Sequence, residues 1–308
     1  MRVTGLVGTV ILAACVSLTA SPAAASATAA ATIAASRPDI SRPDTARPAT
    51  ARPSGVQAKA AAIADASTGR LLWGRDLDAE RPMGSITKVM TALVVIRAGD
   101  LNRKITISSA AVAYALEHDA SSADLRPGDR LTARQLLVGL MLPSGCDAAY
   151  ALAVAYGPGI GAFIAKMNAT AKLLGLTRTH FSNFDGLPWP TEYSTYSTAA
   201  DLIRLGRVAM TSAVFRSIVD LRRYRIPAGH GHHAYTWHNT NPLLGVYPGA
   251  VGIKTGFTLA AGHCLLFEAM RDGRSFIGVV LDSPVLGTTV NGADATVLLN
   301  WAFSLPAH

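Results

Sequence analysis

The alternation of apolar and polar positions changes rhythm twice along the chain. At 60–76, "AAAIADASTGRLLWGRD", two short apolar runs meet at Ala66–Gly69, the pattern of a β-hairpin. Helical spacing begins at "GSITKVMTALVVIRAG" (84–99), where Ala92, Leu93, Val95 and Ile96 recur at helical intervals and Gly99 supplies a stop. It persists over 132–142, is broken by Pro143-Ser144-Gly145, and resumes over 147–157, 158–175 and 197–210. Strand-like runs then return as "GAVGIKTG", "HCLLFEAM" and "SFIGVVLD", and "ADATVLLNWAF" (293–303) closes with a helix. Strands early and late with helices between predict an α+β fold. Its mostly antiparallel sheet is built by the N- and C-terminal segments, with a helical subdomain between them. Residues 56–308 then form one folded unit.

Two polar residues interrupt the apolar helix at 84–99. Ser85 and Lys88 are three positions apart, so hydroxyl and ammonium share a face. A cation in the first turn opposes the helix dipole at a cost of about 0.3–1 kcal/mol. Ser85 as an N-cap with Lys88 reaching solvent is one reading, although a capping box would place Glu or Gln at position 88. The chemical reading is sharper. A lysine disfavoured as a cation by burial and by the helix terminus can act as a neutral base, and the adjacent serine becomes a nucleophile.

Composition alters this picture mainly at the N-terminus. With 50% hydrophobic and 16% charged residues, the chain has enough apolar material for a full-sized core. Residues 1–27 stand apart: Arg2, an apolar run from Leu6 to Ala20 and the small residues "SPAAASA" read as a secretory signal. The segment "LAAC" ending at Cys15 also matches a lipoprotein box, but apolar residues continue beyond it, which favours secretion without lipidation. Residues 28–55 contain the repeat "SRPDISRPDTARPATARPSG", whose proline density predicts an extended, disordered tether with a net +2. Such a tether would lean toward anionic lipids or wall polymers. Setting aside Arg2 and the tether, the formal charge of +8 falls to +5. Without basic runs or interleaved aromatics, nucleic acid is not an expected partner. The mature chain keeps Cys146 and Cys264, too few for a disulfide framework, and both are expected as thiols.

Two further polar islands follow the Ser85–Lys88 pair. Ser144-Gly145-Cys146 falls in the break between two helices, and Lys254-Thr255-Gly256 ends a strand-like run where glycine permits close approach of a ligand. In this order, S-x-x-K, S-x-N and K-T-G mark penicillin-interacting serine enzymes. With "STGRLLWGRD", "LMLPSGCDAA", "THFSNFDGL", "YSTAADL", "AGHCL" and "LLNWAF", residues 60–303 resemble the serine-type D-alanyl-D-alanine carboxypeptidases. These low-molecular-mass penicillin-binding proteins, peptidase family S11, include DD-transpeptidase-like members with cysteine in the middle motif.

The resemblance implies a β-lactamase/transpeptidase-like fold and an acyl-enzyme mechanism on the D-Ala-D-Ala ends of peptidoglycan stem peptides. Ser85 resembles the nucleophile, Lys88 its base, and Ser144 the proton relay toward the leaving D-alanine. Lys254 resembles the charge that holds Ser144 and Lys88 in their working protonation states, and Thr255 the hydroxyl that meets the substrate carboxylate. The backbone N–H groups of Ser85 and of Phe257, which follows Gly256, resemble the oxyanion hole. No cofactor and no metal are implied, and β-lactams are expected as covalent inhibitors.

Three departures from the family pattern stand out. Cys146 replaces the usual asparagine, and a thiol poorly substitutes for an amide that both donates and accepts. Its loss should weaken hydrolysis more than transfer to an amine, because an amine brings its own binding contacts. Residues 283–300 lack the arginine that many members use for the terminal carboxylate, leaving Lys254 and Thr255. The chain runs five residues past Phe303, so the family's frequent C-terminal β-domain is not expected.

Rival readings each lack a part. A class A β-lactamase needs a glutamate to drive deacylation, and Glu80, Glu117, Glu192 and Glu268 lack that motif's flanking residues. A degenerate peptidoglycan-binding or β-lactam-sensing protein would rest on Cys146 alone. A zinc enzyme would rest on His230, His232, His233 and His238, in a segment that reads as a loop without a carboxylate.

Overall fold

The apolar runs from the two ends of the chain pair with each other. A computed structural model describes residues 52–229, 231–284 and 292–306. The leader read over 1–27, Cys15 within it, the tether as far as residue 51, and His230 lie outside the described residues. The described residues fall in one unit.

In chain order, β1 (Ala60–Asp65) and β2 (Leu71–Arg75) form the hairpin, and β3 (Arg81–Pro82) leads into a 3-10 turn (Gly84–Thr87) and α1 (Lys88–Ala98). Next come β4 (Lys104–Thr106), α2 (Ser109–Glu117), β5 (Arg130–Thr132), α3 (Ala133–Met141), α4 (Cys146–Tyr156) and α5 (Ile160–Leu173). They are followed by β6 (Tyr196–Ser197), α6 (Ala199–Met210), α7 (Ala213–Val219), β7 (Arg223–Ile226) and β8 (Tyr235–His238). The chain closes with β9 (Ala250–Thr258), β10 (Gly262–Arg271), β11 (Arg274–Ser283) and α8 (Gly292–Ser304).

The main sheet has the order β2-β1-β11-β10-β9, and every pairing in it is antiparallel. Both faces are covered, which explains why β1 reads as an unbroken apolar run. Ala60, Ala62 and Ala64 join the core shared with α1, α3, α4 and α6. Ala61 and Ile63 face the other way, toward Leu298, Leu299 and Ala302 of α8. Period-two alternation thus feeds two cores.

Helix starts follow the expected capping chemistry. Thr132 and Gln135 form a reciprocal capping box on α3, and Thr198 Oγ1 accepts from the Asp201 amide at 3.1 Å on α6. The predicted helix over 84–99 divides, because its first turn is the tighter 3-10 form and Lys88 opens the α-helix proper. Sequence spacing gave no sign of α2, α7 or the two-stranded ribbons β3–β6, β4–β5 and β7–β8. These are short elements whose apolar residues are too few to set a period. The histidine-rich segment read as a loop is a strand from Tyr235, paired with β7 through Arg223↔His238.

Buried Asp294 at the head of α8 ties the ends of the domain together. Its Oδ1 accepts from the Gln57 amide (2.7 Å), and its Oδ2 from the Ala58 amide (2.8 Å) and Ser283 Oγ (2.7 Å). Removing a charged acceptor from three donors, those of Ala58 and Ser283 buried, costs about 2–4 kcal/mol. Asp294→Ala is therefore expected to lower the denaturant midpoint in equilibrium unfolding with little change in slope; an unchanged midpoint would show that the latch adds nothing.

Candidate active site

Helix α1 is apolar around its circumference, and Lys88 to Val95 are all buried. Such a helix belongs in the middle of a domain, and it carries Lys88 there with none of its surface exposed. The ammonium finds three acceptors from three segments: Ser85 Oγ at 2.8 Å, Cys146 Sγ at 3.3 Å and the Asp185 carbonyl at 3.2 Å. Ser85 is half-buried at the mouth of this arrangement.

The 3-10 turn bearing Ser85 packs directly against β9, backbone to backbone. A methyl group on Gly256 would lie 2.3 Å from the Met83 carbonyl oxygen and 3.2 Å from the Ser85 amide nitrogen. On Gly84 (φ +53) it would lie 2.7 Å from the Phe257 amide nitrogen. Only glycine fits at both places, and the contact brings the Ser85 and Phe257 amides to one side of the Ser85 turn. A paired amide site of this kind suits a developing oxyanion.

The break between α3 and α4 supplies the third wall. Ser144 is buried in a left-handed conformation (φ 65), strained for a residue other than glycine. Its hydroxyl has no hydrogen-bond partner among the described residues. The turn is held by Asp147, which accepts from Ser122 Oγ and the Ala123 and Leu125 amides at 2.8, 2.8 and 3.0 Å. The Cys146 amide in turn donates to the Ser121 carbonyl at 2.7 Å.

Along β9, Lys254 is buried and donates to the Thr255 carbonyl at 3.1 Å. Thr255 Oγ1 lies 2.7 Å from Thr240 Oγ1, a second hydroxyl on the same rim. Burial, and then the nearby Lys88 ammonium, hold the Lys254 pKa well below the ordinary lysine value. Burial pushes the Cys146 thiol up to about 12; Lys88 opposes that rise and Asp185 adds to it. Burial and then Asp185 raise the Tyr114 hydroxyl as well. Asp185 is fully buried, and its Oδ2 is without a hydrogen-bond partner among the described residues.

Of the residues singled out in the sequence, hydrogen bonds join Ser85, Lys88 and Cys146 into one cluster, and link Lys254 to Thr255. Gly256 and Phe257 meet the 3-10 turn that carries Ser85. Ser144 is buried beside Cys146, but its hydroxyl is joined to neither lysine. Four residues of the surroundings were missed. Asp147 follows the S-x-C motif directly and Asp185 sits within "FSNFDGL", so both were adjacent to recognised signals. Tyr114 and Thr240 lie in segments without a motif. His233 does have a carboxylate partner: its Nδ1 lies 2.8 Å from Asp129 Oδ1, and the Tyr235 hydroxyl donates to the same carboxylate. Among the described residues no group of three ligands forms a metal site. Cys264 is buried on β10, where its thiol contacts the Ala261 carbonyl at 3.4 Å, and it is not bridged to Cys146.

The profile of the D-alanyl-D-alanine carboxypeptidase family, peptidase S11, matches residues 47–285. The D-alanyl-D-alanine carboxypeptidase of Streptomyces sp. strain K15 is 43% identical over 250 residues, which cover 77% of this chain and 84% of the relative. The crystal structure of the Streptomyces K15 DD-transpeptidase is similar with a TM-score of 0.78 at 41% identity, covering 83% of this chain and 100% of that one. The crystal structure of a D-alanyl-D-alanine carboxypeptidase from Mycobacterium tuberculosis gives a TM-score of 0.76 at 36% identity, covering 84% and 95%.

A thiol with a pKa of about 12 carries roughly a thousandfold less thiolate at pH 8 than an ordinary cysteine. Cys146 in the native protein is therefore expected to resist iodoacetamide at pH 8 and to react only after denaturation. Peptide mapping before and after guanidinium checks this, and rapid native alkylation at Cys146 would contradict the burial argument.

Proposed function

The chain belongs to the D-alanyl-D-alanine carboxypeptidase family of serine peptidases, and on that premise we propose that Ser85 is the nucleophile of a DD-peptidase acting on peptidoglycan stem peptides. The observation that carries this reading is the 2.8 Å contact between Ser85 Oγ and Lys88 Nζ. In the first step Ser85 Oγ attacks the carbonyl of the penultimate D-alanine while Lys88 Nζ takes the hydroxyl proton. The oxyanion is held by the Ser85 and Phe257 amides. As the tetrahedral intermediate collapses, the C–N bond breaks and the proton taken up by Lys88 passes through the Ser144 hydroxyl to the departing D-alanine amine, which restores Lys88 and Ser144. An ester on Ser85 remains.

Water or the amine of a second stem peptide then attacks the ester, its proton returning along the same route, and Ser85 is regenerated. Water gives a carboxypeptidase product and the amine gives a crosslink. Cys146 leaves the cleft wall without the amide that would orient water, so amine acceptors compete strongly in this reading. A β-lactam enters the same first step, but its leaving nitrogen stays tethered and the ester persists. Residues 1–27 are read as an export signal and 28–55 as a basic tether, which sets the enzyme outside the cytoplasm beside its polymeric substrate.

Acylation tests the central assignment. A fluorescent penicillin is expected to label Ser85, as mapped by mass spectrometry. Ser85→Ala should abolish labelling, and Lys88→Ala should slow it by roughly 10²–10⁴-fold. Label on another residue, or none, would sink the mechanism.

The state of Lys254 yields a second test. A bound carboxylate opposes the burial and Lys88 repulsion that depress the lysine pKa. Binding therefore takes up a proton between the free and bound pKa values, and affinity falls as pH rises through the free-site value. Titration of the Ser85→Ala protein should show this fall for a peptide ending in D-Ala-D-Ala and not for its C-terminal amide. Parallel pH profiles for the two would remove Lys254 from carboxylate recognition.

A further inference from the structure

The segment 221–241, "LRRYRIPAGHGHHAYTWHNTN", holds three arginines and four histidines and no aspartate or glutamate. Its two strands form the β7–β8 ribbon, whose register sets Arg223 opposite His238 and Arg225 opposite Thr236. Strand alternation puts these four residues on one face, and all four are exposed. The other face turns inward. Trp237 is buried and its Nε1 donates to the Ala123 carbonyl at 2.8 Å, and the Tyr224 ring stacks on it.

Two more exposed arginines adjoin the ribbon. The Arg130 amide donates to the Gly231 carbonyl at 2.9 Å, and the Arg126 amide to the Tyr235 hydroxyl at 3.2 Å. Asp129, between them in the chain, is buried and spends its carboxylate on the His233 amide, the His233 ring and the Tyr235 hydroxyl. Among the described residues, none of Arg126, Arg130, Arg223 and Arg225 makes an ion pair. Arg223 and Arg225 stand about 7 Å apart along their strand, so their charges repel until a counter-charge lies across them. A guanidinium presents forked donors that match two oxygens of one phosphate. Two features narrow the partner further. Residues 227–234 hold no large apolar side chain that could enter a bilayer. The ribbon's rings point inward, which leaves none to stack on a nucleic-acid base.

We propose that the exposed face of β7–β8, with Arg126 and Arg130, binds a flexible, base-free polymer of repeating phosphodiesters. The ribbon is rooted at the rim of the cleft, since Thr240, two residues past His238, meets Thr255 at 2.7 Å. A polymer on this face therefore lies alongside the cleft without entering it. The surface does not depend on which residue is the nucleophile.

The probe is an end-labelled poly(glycerol phosphate), titrated with the full-length protein and followed by fluorescence anisotropy over a series of salt concentrations. Affinity should fall steeply as salt rises. Arg223→Gln combined with Arg225→Gln should weaken binding by roughly tenfold and flatten the log–log salt slope by about one to two. Arg126→Gln with Arg130→Gln supplies a second pair, with the same expectation. A charge-matched control, Arg70→Gln with Lys172→Gln, removes two exposed cations from the β1–β2 turn and α5 and should change affinity by less than about twofold. Circular dichroism checks that each variant folds. Polyglutamate and phosphatidylglycerol vesicles serve as carboxylate and membrane arms, and each should lose less than the phosphodiester polymer does when the ribbon arginines are replaced. Absence of binding, an equal loss in the control, or a larger loss on either of the other probes would overturn the proposal.

Discussion

An amine enclosed on all sides by protein must find acceptors, and in this molecule that requirement organises everything around α1. Lys88 enters the interior on a helix that is otherwise apolar, and burying an ammonium without partners costs many kcal/mol. Its three contacts come from the preceding 3-10 turn, the α3–α4 break and the Asp185 segment. The three lie far from one another in sequence, and only Ser85 is close to Lys88. Each must be delivered by its own scaffold: the Gly84–Gly256 contact for Ser85, the Asp147 hydrogen bonds for Cys146, and Thr91 Oγ1 donating to the Phe184 carbonyl at 2.5 Å for Asp185. The helical subdomain surrounds one nitrogen atom.

Much of this was legible in the chain. The strand and helix runs that build the sheet and the core are long enough to show a period, and the order of S-x-x-K, S-x-C and K-T-G is a local signal that survives without any knowledge of the fold. What escaped detection was of two kinds. Short ribbons such as β7–β8 expose every second residue and resemble loops in composition. Residues that act by reaching across the fold leave no mark: Asp147 donates nothing to the helical pattern, yet it fixes loop 122–125. Thr240 gains its meaning only because it lies 2.7 Å from Thr255.

Cys146 shows how a substitution changes character without emptying its place. Asparagine would offer two donors and a carbonyl; the thiol offers one weak donor and a polarizable sulfur. Its raised pKa keeps it protonated and uncharged, so its contact with Lys88 is not an ion pair. Among the described residues no carboxylate hydrogen-bonds Lys88, and Asp185 meets it with a backbone carbonyl while its own Oδ2 has no partner among them. The acceptors of Lys88 are thus a hydroxyl, a thiol and a backbone carbonyl.

The pairing of β1 with β11, Ala60 against Leu281, joins residues more than two hundred positions apart. A chain that emerges N-terminus first, from a ribosome or through a pore, holds β1 and β2 long before their partner exists. A lone hairpin is marginal in water, and closing so large a loop delays the sheet until the whole polypeptide is present. The fold is therefore completed by its last strands, and the Ser85 turn, which leans on β9, is assembled only at that stage. A partial chain that stops short of β9 lacks the strand against which the Ser85 turn packs, so that contact arrives only with the last strands.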